Sequence, residues 1–551
     1  MPHRLRGVTV VTLLALVLAV ACGGASRLAE GDDDAPGDDP AESAGGAPES
    51  QWPSPGYQKK LRQDTVDGAE LRRLQKGRSL PRVRKPNIVL ILTDDQTLSD
   101  MRWMPKTRSL FEKAGVRFRE AISPNPLCCP ARAEILTGQY SHNNGVRTNH
   151  WPNGGYYALD KMNTVPVWLQ EAGYRTAFLG KYLNQYGDLD AREVPPGWDV
   201  WHGAVGLSTY DFHNVRLNVN GHVREYSGVY QTDLYAAQTE RLIERFSQGD
   251  RPFFLWQSHV APHKGCNARY SEDPTGGRCW TPPDPSPAYA GMFDDTEPPQ
   301  WSDRSYDEKD TRDKPRWLHN RVPLADQVWD ELALTELFQR RIESLQSVED
   351  SVARTMAALK KAGELDETLI IFASDNGYLL GEHKLSGKNI GYEPALRVPM
   401  FMRGPGVPAG RTIKDVVSIV DIGATIAHVA GADPTVRLDG RNLTAISRGQ
   451  RPGWNTMLIE GGSSGTDAKG RWRYIGVRTS RYTYIQWRQT GEVELYDRRR
   501  DPDQLTNVAG TRAYSKVETE MRHRLSELER CEGAECRRGF RPAPRPRMVD
   551  R

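Results

Sequence analysis

Two pairs of oxygen-bearing side chains, each directly after a short apolar run, are the first residues with the types to do chemistry. Asp94 and Asp95 follow Asn87-Ile88-Val89-Leu90-Ile91-Leu92-Thr93; Asp375 and Asn376 follow Leu369-Ile370-Ile371-Phe372-Ala373-Ser374. An unbroken aliphatic run of that length reads as a strand buried on both faces. Acids at the end of such a strand are costly unless a cation neutralises them. Four oxygen ligands without histidine or thiolate point to a hard ion, calcium or magnesium, rather than zinc. Asp and Asn are also ordinary helix caps and turn residues, and either pair alone would be read that way. Two such pairs after two buried strands favour a metal site.

A second candidate is Pro126-Leu127-Cys128-Cys129-Pro130-Ala131-Arg132-Ala133-Glu134-Ile135-Leu136-Thr137-Gly138. Pro130 suits the first turn of a helix. Cys128 then lies near the helix N-terminus with Arg132 one turn on, surroundings that stabilise negative charge. Composition alone leaves a plain alternative open, two buried structural cysteines.

The elements that must position these groups are legible around them. Pro252-Phe253-Phe254-Leu255-Trp256-Gln257-Ser258 is a third buried strand, and residues 329–362 carry apolar residues at helical spacing. Strands alternating with helices predict an α/β fold, a large mostly parallel sheet flanked by helices. Ligands of such sheets gather at the carboxyl ends of the strands. After about residue 450, Trp472–Arg478 and Tyr482–Trp487 alternate as hairpin strands do, and Val517–Glu529 reads as a terminal helix. A small α+β C-terminal unit is expected there.

At 551 residues the chain is too long for one compact core. Lysine and arginine number 74 against 71 aspartates and glutamates, a net charge of +3. So even a balance gives no argument for a nucleic-acid partner. Arg4 and Arg6 precede an apolar run from Val8 to Ala21, the pattern of an export signal and shorter than a membrane span. That run ends in Leu18-Ala19-Val20-Ala21-Cys22, which resembles a bacterial lipobox with Cys22 as the acylated residue. The expected organisation is a signal peptide at 1–21 and a flexible Gly/Pro/acid-rich tether at 22–83, with a short helix around Gly68–Lys76. A catalytic domain at 84–450, a C-terminal subdomain at 451–536 and a disordered Arg/Pro tail at 537–551 follow. Cys266 with Cys279, and Cys531 with Cys536, read as short-loop disulfides of an exported protein, neither pair having the Cys/His neighbours of a zinc site.

Cys128-x-Pro130-x-Arg132 followed by Leu136-Thr137-Gly138 resembles the signature of the sulfatase family, whose first cysteine is oxidised to formylglycine. Ala131 stands where serine is commoner. Further matches fall in family order: Asp94-Asp95, Gly180-Lys181-Tyr182-Leu183-Asn184, Pro262-His263, Ser374-Asp375-Asn376-Gly377, Gly387-Lys388, Tyr392-Glu393, Arg397-Val398-Pro399, and Leu495-Tyr496-Asp497 through Asp501-Pro502 to Asn507. Several motifs in order are far harder to meet by chance than one. The resemblance implies an alkaline-phosphatase-like fold. It also implies calcium, rather than magnesium, on Asp94, Asp95, Asp375, Asn376 and the modified Cys128. Arg132 and Lys181 would hold the formylglycine hydrate, and His263 and Lys388 the sulfate and leaving-group oxygen. One hydroxyl of the hydrate attacks sulfur and the other later expels sulfate, covalent catalysis in two easier steps. Asp375 is the expected base. A histidine common two positions after the family's lysine is replaced by Leu183, with Asn184 as a substitute. His383 is a further candidate substrate contact, read more simply as a polar loop histidine.

Within the family, the Cys-Cys-Pro form, Gly180–Gly187 and Pro195-Pro196-Gly197-Trp198 resemble N-acetylglucosamine-6-sulfatases and related glycosaminoglycan sulfatases. The expected substrate is a sulfated carbohydrate, and the expected maturation partner a formylglycine-generating enzyme. Expected location is outside the cytoplasm, as a secreted protein or a lipoprotein touching the membrane only through its lipid. The alternatives are a broad arylsulfatase, a phosphodiesterase or phosphonate monoester hydrolase of the same superfamily, and a non-catalytic lipoprotein that binds sulfated glycans.

Overall fold

The computed structural model describes residues 85–266, 281–327, 330–450, 455–462 and 471–547. The export signal, Cys22, the tether with its short helix, and Cys279 lie outside the described residues. Sixteen strands occur in chain order: β1 Asn87–Thr93, β2 Gly115–Ile122, β3 Arg175–Gly180, β4 Val200–Ala204, β5 Asn214–Val219, β6 His222–Ser227, β7 Phe253–Ser258, β8 Thr368–Ser374, β9 Leu379–Leu380, β10 Ser386–Gly387, β11 Met400–Arg403, β12 Arg411–Ser418, β13 Thr456–Gly462, β14 Trp472–Thr479, β15 Tyr482–Trp487 and β16 Val493–Asp497.

Ten of them form one sheet in the order β12-β2-β11-β8-β1-β7-β3-β4-β5-β6. Its centre, β8-β1-β7-β3-β4, is parallel throughout. Eight of the ten strands run the same way, so the sheet is mixed but mostly parallel. β11 runs antiparallel to both β2 and β8, and β5 runs antiparallel to its neighbours β4 and β6. β5 and β6 are joined through Asn220 and Gly221, both at positive φ (51° and 90°). A two-residue turn of that kind connects only antiparallel strands.

β1, β7 and β8 are buried at every residue, as continuous aliphatic runs require. Successive side chains of β1 divide between two cores. Ile88, Leu90 and Leu92 pack on one face with helices Cys128–Thr137 and Val420–Ala430. Val89 and Ile91 pack on the other with helices Gln231–Ser247 and Glu331–Lys361. Each such fully buried Leu or Ile stabilises by about 1.5–3 kcal/mol. The 31-residue helix Glu331–Lys361 begins where the Asp330 side chain accepts from the Ala333 amide.

Register then places the site. Thr93 pairs with Ser374, Leu92 with Ser258, and Ser258 with Gly180. The residues leaving the carboxyl ends of β8, β1, β7 and β3 are therefore lateral neighbours. The Asp375 amide donates to Thr93 O (3.1 Å), the Asp94 amide to Ala261 O (3.3 Å) and the Lys181 amide to Ser258 O (3.1 Å).

β13 to β16 form a separate antiparallel sheet against which the helix Ser515–Leu528 packs. Cys531 and Cys536 are bridged, and the Cys531 carbonyl accepts from Asn143 Nδ2, just beyond the Cys128 helix. Cys266 is also disulfide-bonded. The tail expected to be disordered from 537 is instead seated as far as Arg547. Its carbonyls at Arg541 and Pro544 accept from Arg524 and Tyr482, and the Arg547 amide donates to Ala513 O. Arg/Pro composition gives no apolar signal for such docking, which runs through backbone groups. Among the described residues, no helix is long and apolar enough to cross a membrane.

Candidate active site

The helix Cys128–Thr137 is buried along its whole length, and its first residue meets the strand ends. Cys128 Sγ lies 3.4 Å from Asp94 Oδ1 and 2.9 Å from Lys388 Nζ. Lys388 Nζ also donates to Asp95 Oδ1 at 2.7 Å. Lys181 Nζ pairs with Asp94 Oδ2, and Arg132 Nη2 lies 3.6 Å from the same oxygen. Arg132 further donates from Nε to Asp375 Oδ2 (2.8 Å), and from Nη1 to Lys181 O (2.7 Å) and Ser258 Oγ (2.8 Å). His263, after the cis Ala261-Pro262 bond, places Nε2 3.6 Å from Asp95 Oδ2. Its Nδ1 is 2.6 Å from Lys264 O. A carbonyl only accepts, so Nδ1 carries the proton in that bond and Nε2 faces the site. Ligating atoms of Asp94, Asp95, Cys128 and His263 all lie within 4.8 Å of one another. The structure thus brings together all the sequence-derived catalytic and metal residues.

Burial alone would raise Asp94, but Lys181, His263 and Arg132 outweigh it and hold the carboxyl well below the usual range. Burial and the Asp94 charge push Asp375 up. Burial, reinforced by Asp94, holds the Cys128 thiol far above its ordinary value. As encoded, Cys128 is therefore a neutral thiol and a poor nucleophile. Burial works against the Lys181 ammonium, yet Asp94 keeps it firmly protonated.

The residues fit a divalent metal. Asn376 Nδ2 donates to Asp95 Oδ1 (2.7 Å) and Gly377 O (2.8 Å). This leaves Asn376 Oδ1 fully buried with no hydrogen-bond partner among the described residues. An orphaned buried acceptor is costly unless something supplies positive charge. Charge balance points the same way. Asp94, Asp95 and Asp375 offset Arg132, Lys181 and Lys388 one for one, so these six side chains by themselves offer an anionic ester no surplus positive charge.

Three of the finer expectations change. Asp375 is not a free base: Oδ2 is held by Arg132, and Oδ1 accepts from the Asp95 and Asn376 amides. The carboxylate at the Cys128 side chain is Asp94. Leu183 is part of the apolar core, and among the described residues Asn184 Nδ2 donates to the Tyr210 hydroxyl, at 3.4 Å. His383 is buried, with Nδ1 2.6 Å from Glu308 Oε2 and its ring against Tyr392, and is spent inside the fold rather than in an open loop.

Two residues at the site escaped sequence reasoning. Tyr210 presents its ring to Lys181 Nζ (4.7 Å to the centroid) and to His263 (4.8 Å between centroids). No motif surrounds it. Arg341, fully buried, donates to Asp95 O (2.6 Å), Pro262 O (3.2 Å) and Asp100 Oδ2 (3.1 Å). It ties the loop carrying His263 to Asp95, which sits at φ 67°, a strained value for a residue with a side chain. A signal for it existed: Arg341 interrupts the apolar stripe Leu334, Leu337, Phe338, Leu345, Val348 at helical spacing. Arg341→Met is expected to weaken divalent-metal affinity by about 10- to 100-fold, as loss of a group orienting a ligand does. Titration against a chelating indicator measures this; unchanged affinity would remove Arg341 from that role.

Comparison with known proteins decides the family. The sulfatase family model matches residues 86–432, well over half of the chain, and the model of the N-sulphoglucosamine sulphohydrolase C-terminal region matches 381–531. The chain belongs to the sulfatase family. It is 32 % identical over 503 residues to human N-acetylglucosamine-6-sulfatase, covering 82 % of this chain and 86 % of that protein. It is 34 % identical over 405 residues to the extracellular sulfatase SULF-1 homolog of Drosophila melanogaster, covering 71 % of this sulfatase but 34 % of the fly protein. It spans 54 % of the related Sulf-1 homolog of Caenorhabditis elegans. A solved enzyme in complex with its substrate D-glucosamine-2-N,6-O-disulfate shares the fold at TM-score 0.65 and 23 % identity, over 81 % of this sulfatase and 97 % of that chain.

Proposed function

We propose that this sulfatase removes sulfate from a sulfated sugar, an N-acetylglucosamine 6-sulfate or a related glycosaminoglycan unit, using a formylglycine made from Cys128. The observation that carries the reading is the placement of Cys128 Sγ between Asp94 Oδ1 and Lys388 Nζ, at the mouth of four converging strand ends. Asp94, Asp95, Asp375 and Asn376, with an oxygen at position 128, would hold calcium; a hard ion suits an all-oxygen set. Bound there, calcium supplies positive charge against the sulfate oxygens. The formylglycine, as its hydrate, supplies two hydroxyls on one carbon, one to attack sulfur and one to release sulfate.

The remaining work falls to the encoded side chains. Asp94 Oδ1 faces the group at position 128 and accepts its hydrogen bond, orienting it for attack. Arg132 and Lys181, both buried and cationic, oppose the negative charge that grows on the reacting oxygens. Lys388 is committed to Asp95 and position 128, so it orients the nucleophile. His263 turns Nε2 toward Asp95 and the site and, with both ring nitrogens carrying a proton, protonates the departing sugar oxygen. Tyr210 holds Lys181 and His263 apart at fixed spacing.

The sugar preference draws support from the names of the relatives and from the match to a sulphoglucosamine hydrolase C-terminal model. Export follows from residues 1–21 and agrees with relatives named as extracellular; acylation at Cys22 would leave the enzyme on the cell surface, and simple secretion is the alternative. A formylglycine-generating enzyme is required as a maturation partner. The domain limits 84–450 and 451–536 are part of the same proposal.

The test compares purified enzyme on N-acetylglucosamine 6-sulfate, an aryl sulfate and the matching phosphate diester, with and without chelator. Turnover of the sulfated sugar that chelator abolishes and calcium restores is the expected result. A higher kcat/KM for the phosphate diester would assign the chain to the phosphodiesterase side of the superfamily. Tight glycan binding without turnover would make it a binding lipoprotein.

A further inference from the structure

Away from the catalytic centre, a cavity of about 590 Å³ opens between β2, the segment 393–397, the β14–β15 turn and the tail residues Pro542 and Ala543. None of the residues assigned to metal or catalysis lines it. Its wall is dominated by arginine: six arginines stand against two carboxylates, Glu120 and Glu393.

Some of those arginines have private partners. Arg481 is doubly paired with Asp497, and Arg524 with Glu520. The others do not balance. Arg478, fully buried behind the wall, donates to both Glu393 oxygens and to Glu120 at 2.8 Å. Arg498, with its side chain 7 % exposed, shares the same two acids at 3.1 and 3.4 Å. Arg397 reaches both at 3.8 Å. Three guanidinium groups thus divide two carboxylates. At the rim, Arg119 has only a 4.0 Å approach to Glu120, and exposed Arg499 has no ion-pair partner among the described residues.

Three buried nitrogens mark the deficit. Arg498 Nε, Arg478 Nη1 and Arg397 Nε have no hydrogen-bond acceptor among the described residues. Burial, then repulsion from Arg478, pushes Arg498 down to about 10, as expected of a cation short of negative neighbours. A guanidinium surplus with unspent donors matches a tetrahedral oxyanion, which accepts on several oxygens at once.

We propose that this cavity is a non-catalytic binding site for a sulfate-type oxyanion. The anion is either free inorganic sulfate or a sulfate group carried on a glycan; the second source rests on the substrate class proposed above, and the first does not.

The test uses the full-length enzyme and the double variant Arg119→Glu/Arg499→Glu. Both residues are exposed at the rim, so the fold should be retained, and circular dichroism checks this. Calorimetric titration is run with inorganic sulfate and, separately, with a sulfated glucosamine tetrasaccharide, alongside hydrolysis of a small aryl sulfate. Aryl sulfate hydrolysis is expected to be unchanged, and Kd raised about tenfold or more for the bound anion. Weakening with both probes assigns the site to the free anion chemistry. Weakening with the tetrasaccharide alone assigns it to glycan-borne sulfate. Unchanged binding of both probes, with the fold intact, overturns the proposal, whatever the hydrolysis assay shows of the catalytic site.

Discussion

Cys128→Ala is expected to lower sulfate-ester hydrolysis by about 10⁴-fold or more, the scale on which enzymes lose activity when a covalent nucleophile is deleted. The fold should survive. Cys128 is one small buried side chain on a helix whose other residues stay packed, so the change removes a single sulfur and costs about 1 kcal/mol. Asp94, Lys181, Arg132 and Lys388 remain to bind substrate, so KM should move far less than kcat. Steady-state kinetics with a thermal melt measures both. Activity retained in the alanine variant would exclude position 128 as the nucleophile.

Arg132→Met should show both a large catalytic and a large structural effect. The guanidinium holds Asp375, approaches Asp94, and donates to Lys181 O and Ser258 Oγ, so one side chain ties the ends of β8, β1, β3 and β7 together. Removing it leaves buried carboxylate charge without its partner, which costs about 3–5 kcal/mol. Loss of a preorganised donor near the reacting oxygens adds a fall of about 10²–10³ in kcat. Arg132→Lys should rescue little, because one ammonium cannot span the positions the planar fork reaches. Denaturant unfolding and kcat for Arg132→Met and Arg132→Lys provide the check. A lysine variant with full activity would show that charge alone matters there.

What the sequence made legible follows from how local each signal is. β1, β7 and β8 announce themselves because a strand buried on both faces needs an unbroken apolar run, and the acids after β1 and β8 stand out against it. The direction of β11 was not legible: four apolar-rich residues specify a strand, but its partners lie on β2 and β8, far away in the chain. The seated tail escaped notice because its bonds use backbone carbonyls at Arg541 and Pro544, which composition does not register. In the site, the residue set was readable while the roles were less so. Asp375 and Asp94 are both strand-end aspartates, and only the hydrogen bonds show that both Asp375 oxygens are engaged by Arg132 and main-chain amides while Asp94 faces position 128. Arg341 acts across the fold through two main-chain carbonyls, contacts that no one-dimensional pattern encodes.

The measurement that bears most directly on the account is peptide mass spectrometry of the segment around Cys128, taken from enzyme purified from its native exported location and shown to be active. Conversion of the thiol to an aldehyde lowers the mass by about 18 Da. The account predicts that shift at Cys128 and an unshifted thiol at Cys129. Active enzyme carrying an intact thiol at Cys128 would contradict it.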